Sequence, residues 1–288
     1  MKKLTGVLTA LITPFHRGEV DYASLKKLLR FQLDAGIQGF VVNGTTAESP
    51  CLSAEERQKI FGLVKGEVAG QIPVIMGTGT NSTEESIART QEAAALGATA
   101  ALVVVPYYNK PPQKGLFLHF KKISESAELP VVLYNVPSRT VARLEIETIL
   151  SLAKEKNIIG IKEATGDIHF ASKIKAGVSP EFSLLSGDDA SFGHFINAGG
   201  DGIISVGSHI LPKEFVALQS RGPGADINFE NCLETINNLY LEANPIPVKM
   251  ALFLMGQIAS PEMRLPLVEM SEQLIPKLKN SLHESGLM

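Results

Sequence analysis

Eight short apolar runs recur along this chain, each followed by an amphipathic segment, and that alternation restricts the fold more than any other feature. The runs fall at residues 6–13, 39–42, 72–76, 101–105, 130–135, 158–162, 182–185 and 202–206. They are nearly continuous and rich in β-branched side chains, the pattern of parallel strands covered on both faces. Helix punctuation fills the gaps. Asp21 and Ser24 open a helix whose Leu25, Leu28, Leu29 and Leu33 share a face, and Gly36 stops it. Ser53 with Glu56 forms a capping box for the second. Ser82 to Glu85 open the third, which runs to Gly97. The fourth passes through Phe117, Phe120 and Ile123, and the fifth spans residues 144–154. Asp167 caps the sixth, the seventh ends at Gly199-Gly200, and Pro212 starts the eighth.

Eight strand–helix units predict an α/β chain closed into a (β/α)8 TIM barrel, with an open doubly wound sheet as the alternative. Strand signals stop after Arg221-Gly222-Pro223-Gly224. From Ile227 onward the pattern reads as three helices, broken near Pro245-Ile246-Pro247 and Ser260-Pro261. The expected organisation is a barrel over residues 1–224 and a C-terminal helical appendage over 225–288, not an independent domain.

Composition bounds the function. Of 288 residues, 44% are hydrophobic and 20% charged, an ordinary globular profile. A net charge of −3 without any lysine or arginine run argues against a nucleic-acid surface. There is no stretch of 18 apolar residues, so no membrane span is expected. The N-terminal apolar run is interrupted by Thr5, Gly6 and Thr9 and makes a poor signal peptide. Two isolated cysteines, Cys51 and Cys232, fit reduced thiols in a cytoplasmic protein.

Active sites on barrels of this kind lie at the C-terminal strand ends. Those ends carry Thr45-Thr46, Tyr107-Tyr108, Tyr134, Arg139, Lys162 and Gly187. Lys162 is the chemically suggestive member, because Ile158-Ile159-Gly160-Ile161 precede it in a dry strand. Burial disfavours an ammonium, and an uncharged amine can attack a carbonyl to form a Schiff base. Each residue also has an ordinary reading. A strand lysine can lay its stem on apolar atoms, a tyrosine can be half-buried packing, an arginine a surface ion pair, and Thr45-Thr46 a helix cap. Taken together they suggest a keto substrate on the lysine and proton transfer through phenols and hydroxyls. Backbone N–H groups of residues 44–46 can grip one carboxylate, and Arg139 a second in bidentate fashion. Two acidic substrates follow, one of them a 2-keto acid.

Competing motifs are weaker. Gly77-Thr78-Gly79 starts like a dinucleotide fingerprint but lacks the third glycine and the ribose-binding acid. The six histidines show no ligand spacing, and no paired acids mark a metal loop, so a metal-dependent aldolase is disfavoured. No serine or cysteine sits in a nucleophile elbow.

Gly44-Thr45-Thr46-Ala47-Glu48, Pro106-Tyr107-Tyr108-Asn109, Tyr134-Asn135-Val136-Pro137-Ser138-Arg139-Thr140 and Gly160-Ile161-Lys162-Glu163-Ala164 resemble the signatures of the dihydrodipicolinate synthase family. These are pyruvate-dependent Schiff-base lyases and aldolases. Leu185-Ser186-Gly187-Asp188-Asp189 and Asn244-Pro245-Ile246-Pro247-Val248-Lys249 match too, so the resemblance covers nearly the whole chain. It implies a (β/α)8 barrel with a helical C-terminal region, a homotetramer built as a dimer of dimers, and no cofactor or metal beyond the covalent Schiff base. The implied reaction condenses pyruvate with L-aspartate 4-semialdehyde, on the route to diaminopimelate and lysine. Residue by residue, Lys162 resembles the Schiff-base lysine and Tyr134 the proton-transferring tyrosine. Thr45 resembles its link to Tyr108, which in the family reaches into the neighbouring subunit's site. Thr46 and Ile204 resemble pyruvate contacts, Gly187 a pocket-lining residue, and Arg139 the ligand of the semialdehyde's carboxylate. Ala47 departs from the family's more frequent glycine, which bears on the local turn. Related N-acetylneuraminate and 2-keto-3-deoxygluconate aldolases share the lysine and tyrosine, but Thr45 and Arg139 favour the synthase. A catalytically silent metabolite-binding barrel would need one of these residues missing. Ser49, Asn81, Glu85 and Tyr107 match the family's lysine-effector pocket. Pro50, Ala54 and Arg57 depart from it, so weak or absent lysine inhibition is expected.

Overall fold

Parallel strands form a closed ring of eight in the computed structural model, which describes residues 3–221 and 229–288. In chain order the strands are β1 (Gly6–Ala10), β2 (Gly39–Val42), β3 (Val74–Gly77), β4 (Ala100–Val104), β5 (Val131–Asn135), β6 (Ile158–Glu163), β7 (Ser183–Ser186) and β8 (Gly202–Ser205). Each pairs with its sequence neighbours, and β1 closes the ring by pairing with both β2 and β8. The open-sheet alternative is therefore set aside. The barrel helices are α1 (Tyr22–Asp34), α2 (Ala54–Val68), α3 (Thr83–Leu96), α4 (Gln113–Glu125), α5 (Ile146–Leu152), α6 (Ile168–Gly177), α7 (Phe192–Asn197) and α8 (Pro212–Arg221).

Local chemistry explains the boundaries. The Asp21 carboxylate accepts from the N–H groups of Ala23 and Ser24 to start α1, and Leu25, Leu28 and Leu29 are its buried stripe. Ser53 and Glu56 make the full reciprocal capping box of α2. Strand β3 begins at Val74 rather than Ile72, since Pro73 has no N–H to give the ladder and only its carbonyl pairs, with Phe40. One element escaped sequence reading. Phe15–His16 and Glu19–Val20 form a small antiparallel hairpin, turned by Arg17 and Gly18, both at positive φ. That geometry is the two-residue turn which favours Asn-Gly, and Arg-Gly is a weak signal for it.

The expected 224/225 boundary and helix start at Ile227 lie outside the described residues, and from residue 229 onward three helices follow. They are α9 (Glu230–Asn238), α10 (Ile246–Leu254) and α11 (Ile275–Glu284). Every residue of α10 from Ile246 to Leu252 is buried, which marks an interior helix. It packs on α11 and on the short turn Gly207–His209 that follows β8.

One residue of α10 carries charge into that interior. Lys249 is fully buried, and its ammonium lies 2.8 Å from Glu48, whose carboxylate is also fully buried. Burial pushes the Lys249 ammonium below the usual lysine range, while Glu48 opposes that shift. Two cations approach the Phe15 ring, with Lys249 Nζ at 4.2 Å and the Arg264 guanidinium at 4.4 Å from its centroid. The second Glu48 oxygen accepts the Arg264 backbone N–H at 3.0 Å. The hairpin, the loop after β2 and the C-terminal region thus share one buried polar joint. Removing one partner of such a pair strands the other charge. Lys249→Met is therefore expected to cost about 3–5 kcal/mol in chemical denaturation. A loss below about 1 kcal/mol would show that Glu48 is not stranded there.

Candidate active site

Two adjacent strands bring the proposed lysine and tyrosine together. In the register of β5 and β6, Tyr134 is opposite Lys162 and Asn135 opposite Glu163. A one-residue irregularity at Ile159 sets that register, since Val131 pairs with Ile158 and Val132 with Gly160. Residues opposite each other on parallel strands project to the same face, so Lys162 and Tyr134 share the barrel interior. Both are buried, and the Lys162 ammonium nitrogen lies 4.4 Å from the Tyr134 ring centroid.

The next residues project the other way and hold the strands in line. Glu163 accepts from Asn135 Nδ2 at 3.1 Å, from the Thr165 N–H at 3.1 Å and from the Thr165 hydroxyl at 2.7 Å. Asn135 Oδ1 in turn accepts the Leu144 N–H. Burial raises the Glu163 carboxyl above the usual carboxylate range despite these donors.

Above Lys162 is a narrow chamber walled by Ala10, Leu11, Val41, Gly44, Thr45, Thr46, Leu102 and Tyr134. It meets a wider cleft of about 410 Å³ that shares Gly44, Thr45, Leu102 and Tyr134 and adds Tyr107, Arg89 and Arg139. Thr45 and Thr46 belong to the short helical turn Thr45–Ala47. The left-handed residue is Glu48, which ends that turn with φ of 54°, while Ala47 keeps an ordinary negative φ, so a methyl at 47 is accommodated. Thr46 is buried, and its hydroxyl oxygen accepts from Asn244 Nδ2 at 2.9 Å.

Arg139 sits in the helical turn Pro137–Thr140. It donates to the Asn244 carbonyl at 3.1 Å and makes no ion pair among the described residues. The cleft's other cation, Arg89, is already engaged by Glu85 at 2.7 Å. Tyr108 is 87% exposed and holds φ of 75°. Thr45 is exposed too, and neither its hydroxyl nor those of Tyr108 and Tyr134 has a partner among the described residues. Within one chain the Tyr134–Thr45–Tyr108 relay is therefore not joined. Ile204 is buried on β8 opposite Leu8 and does not wall the chamber. Gly187 lies against the lysine stem. A Cβ there would sit 2.8 Å from Lys162 Cε and 2.6 Å from Ala164 Cβ.

Of the proposed effector residues, Ser49 and Tyr107 line the cleft, with Pro50 beside them. Asn81 and Glu85 do not. The Asn81 carbonyl accepts from Asn109. Arg57 turns back on its own loop and donates to the Leu52 carbonyl at 2.8 Å, away from the cleft. The glycines of Gly77-Thr78-Gly79 serve barrel packing: a Cβ at Gly77 would lie 2.5 Å from the Asn43 carbonyl oxygen, and one at Gly79 2.3 Å from the Val104 nitrogen. Among the described residues no cluster of three or more His, Cys, Asp or Glu side chains is placed to hold a metal. Nor is any helix among them long and apolar enough to cross a membrane.

Three supporting residues carried no role in the sequence reading. Asn244 touches both Thr46 and Arg139. Glu48 ties the turn to Lys249. Asp189 accepts from the N–H groups of Val206 and Gly207 and from the Tyr240 hydroxyl. A lone lysine in the apolar run after Pro245 was the available signal for the second of these.

With this geometry in place, comparison with known proteins is specific. The model of the dihydrodipicolinate synthetase family matches residues 3–285. The 4-hydroxy-tetrahydrodipicolinate synthase of Bdellovibrio bacteriovorus is 48% identical over 295 residues, with 100% of each chain covered. The dihydrodipicolinate synthase of Thermotoga maritima is similar in structure with a TM-score of 0.94 at 42% identity, covering 99% of this chain and 100% of that one. The chloride-inhibited dihydrodipicolinate synthase of Acinetobacter baumannii, solved in complex with pyruvate, gives a TM-score of 0.95 at 40% identity, covering 99% of each.

The space beside the lysine stem yields a direct test. Gly187→Ala forces the Lys162 stem aside, because the facing Ala164 cannot yield. A misplacement of about 1 Å at a reacting atom costs on the order of 100-fold in rate. Turnover is expected to fall by about that factor while the cooperative unfolding transition persists. Wild-type turnover in Gly187→Ala would show that Lys162 does not need this space.

Proposed function

Because this chain belongs to the dihydrodipicolinate synthetase family, we propose that its barrel mouth condenses pyruvate with L-aspartate 4-semialdehyde to form 4-hydroxy-tetrahydrodipicolinate, a step toward diaminopimelate and lysine. The observation that carries this reading is one buried lysine beside one buried tyrosine, under a cleft whose Arg139 lacks a carboxylate partner among the described residues.

The chemistry follows from those positions. The Lys162 amine adds to the pyruvate ketone and water leaves, giving a protonated Schiff base. That cation acidifies the neighbouring methyl, and loss of a proton gives an enamine. The enamine carbon attacks the aldehyde carbon of the second substrate, and Tyr134 delivers the proton to the oxygen formed. The substrate's own amine then displaces Lys162 from the imine carbon, closing the ring and freeing the enzyme. Thr46 and the adjoining backbone N–H groups hold the pyruvate carboxylate, and Gly187 leaves room for the Lys162 stem. Arg139 holds the carboxylate of the semialdehyde in bidentate fashion. The Schiff base supplies the electron sink, so the proposed route uses no metal or cofactor.

The active form in this reading is a cytoplasmic homotetramer, a dimer of dimers, in which Tyr108 completes the relay in its neighbour's site. Its support is an aromatic side chain that is 87% exposed beside the cleft, with no hydroxyl partner among the described residues.

Borohydride trapping with pyruvate should label one peptide, the one containing Lys162, and coupled turnover should appear with aspartate semialdehyde but not with N-acetylneuraminate or 2-keto-3-deoxygluconate. Arg139→Ala should keep the trapping and lose about 2–4 kcal/mol in kcat/KM for the semialdehyde. Label on another lysine, or preferred cleavage of a sugar acid, refutes the assignment.

Mixing Tyr108→Phe subunits with Lys162→Ala subunits should restore activity, since in a mixed dimer one site receives both wild-type residues. Verified mixed dimers without recovery would place Tyr108 in its own subunit's site.

A further inference from the structure

Asn244 lies on neither a barrel strand nor a βα-loop, yet it contacts the side chains proposed for both carboxylates. Its side-chain nitrogen donates to Thr46 Oγ1 at 2.9 Å, and its backbone carbonyl accepts from Arg139 Nη2 at 3.1 Å. The residue is 7% exposed, and its Oδ1 is buried without a hydrogen-bond partner among the described residues. A buried acceptor left unmatched costs stability, and such costs gather where a site needs a particular geometry.

The direction of the Thr46 bond is what matters. A threonine hydroxyl has one proton to give and two lone pairs to receive with. Here the amide N–H of Asn244 occupies a lone pair. The single proton of Thr46 is then free to point into the chamber, toward an anion that can only accept. An acceptor in place of Asn244 Nδ2 would draw that proton away and turn a lone pair toward the substrate carboxylate.

We infer that Asn244 is a positioning residue which fixes the polarity of the Thr46 hydroxyl, making it a donor to the pyruvate carboxylate, while its backbone carbonyl aims Arg139 at the second substrate. The C-terminal region thereby sets the donor direction at one carboxylate subsite and the cation's direction at the other. The inference rests on the assignment of Thr46 to pyruvate given above.

Asn244→Asp tests it, because a carboxylate is nearly isosteric with the amide but can only accept. The readout is the pyruvate concentration that half-saturates borohydride trapping, which needs no second substrate. A donor to a charged partner replaced by a lone pair should raise that concentration about tenfold or more, with the trapping rate at saturating pyruvate little changed. Asn244→Ala keeps the backbone carbonyl and leaves the Thr46 hydroxyl free to turn, so its rise should be smaller than that of Asp. In a Thr46→Val background neither change should raise half-saturation further, since the hydroxyl they act through is gone. The Ala variant alone suffices for this cycle should Asp not fold. Effects that add to that of Thr46→Val, or an Ala variant as impaired as Asp, overturn the inference and leave Asn244 a packing residue. An unchanged half-saturation in Thr46→Val by itself refutes the pyruvate assignment of Thr46, a failure distinct from that of the Asn244 mechanism.

Discussion

Everything the mouth of this barrel can do depends on the alignment of two parallel strands. Tyr134 faces Lys162 because β5 and β6 are in one register, and a slip by one residue would turn one of them out toward the helices. Hydrophobic burial alone does not set that register finely, since valines and isoleucines occupy both faces of a buried parallel strand. The irregularity at Ile159 and the outward-facing bonds of Asn135, Glu163 and Thr165 fix it instead. A carboxylate one residue from Lys162 thus works from outside the barrel, where it cannot pair with the amine.

The second dependence runs across nearly the whole chain. The turn carrying Thr45 and Thr46 is short and contains a left-handed Glu48, a conformation L-residues adopt at a cost. What holds it is the C-terminal region: Lys249 and the Arg264 backbone N–H take the two oxygens of Glu48, and Asn244 takes Thr46. Burying the lysine is unfavourable in isolation, and a fully buried pair is weak evidence for stability. Its evident consequence is placement, because two charges with few other partners tolerate little displacement. The region after the barrel therefore braces the turn that walls the chamber.

Much of this was legible in the residues. The alternation of apolar runs with capped helices gave the barrel, and Asp21, Ser53, Asp167 and Pro212 each start a helix as their chemistry predicts. Motif resemblance named residues that the fold gathers at one mouth, among them Thr45, Thr46, Tyr134, Arg139 and Lys162. What stayed hidden was of two kinds. The Arg17-Gly18 hairpin and the Ile159 irregularity are backbone choices made by tertiary context, with no side-chain signature strong enough to announce them. The bonds of Asn244 and Lys249 join residues some 200 positions apart, beyond any local pattern. Lys249 did carry a cue, one lysine inside an apolar run, the same cue that singled out Lys162. The two differ in what meets the amine: a carboxylate at 2.8 Å neutralises Lys249, whereas Lys162 has an aromatic face and a narrow chamber.

That difference also explains how a chain of net charge −3 can draw two anions to one point. Charge acts locally where the dielectric is low and the path is narrow. Most cations near the mouth are already satisfied: Arg89 by Glu85, Arg264 by Glu56, Lys249 by Glu48. Among the described residues Arg139 is held only by a neutral carbonyl, so its charge remains available to the cleft. Lys162 lies below it with no carboxylate in salt-bridge range among the described residues. An arriving carboxylate therefore meets a short gradient, from an accessible guanidinium toward a buried amine. The neutral donors of the Thr45–Ala47 turn stand between them and can hold a carboxylate without quenching the nucleophile, as a third cation or a metal would not.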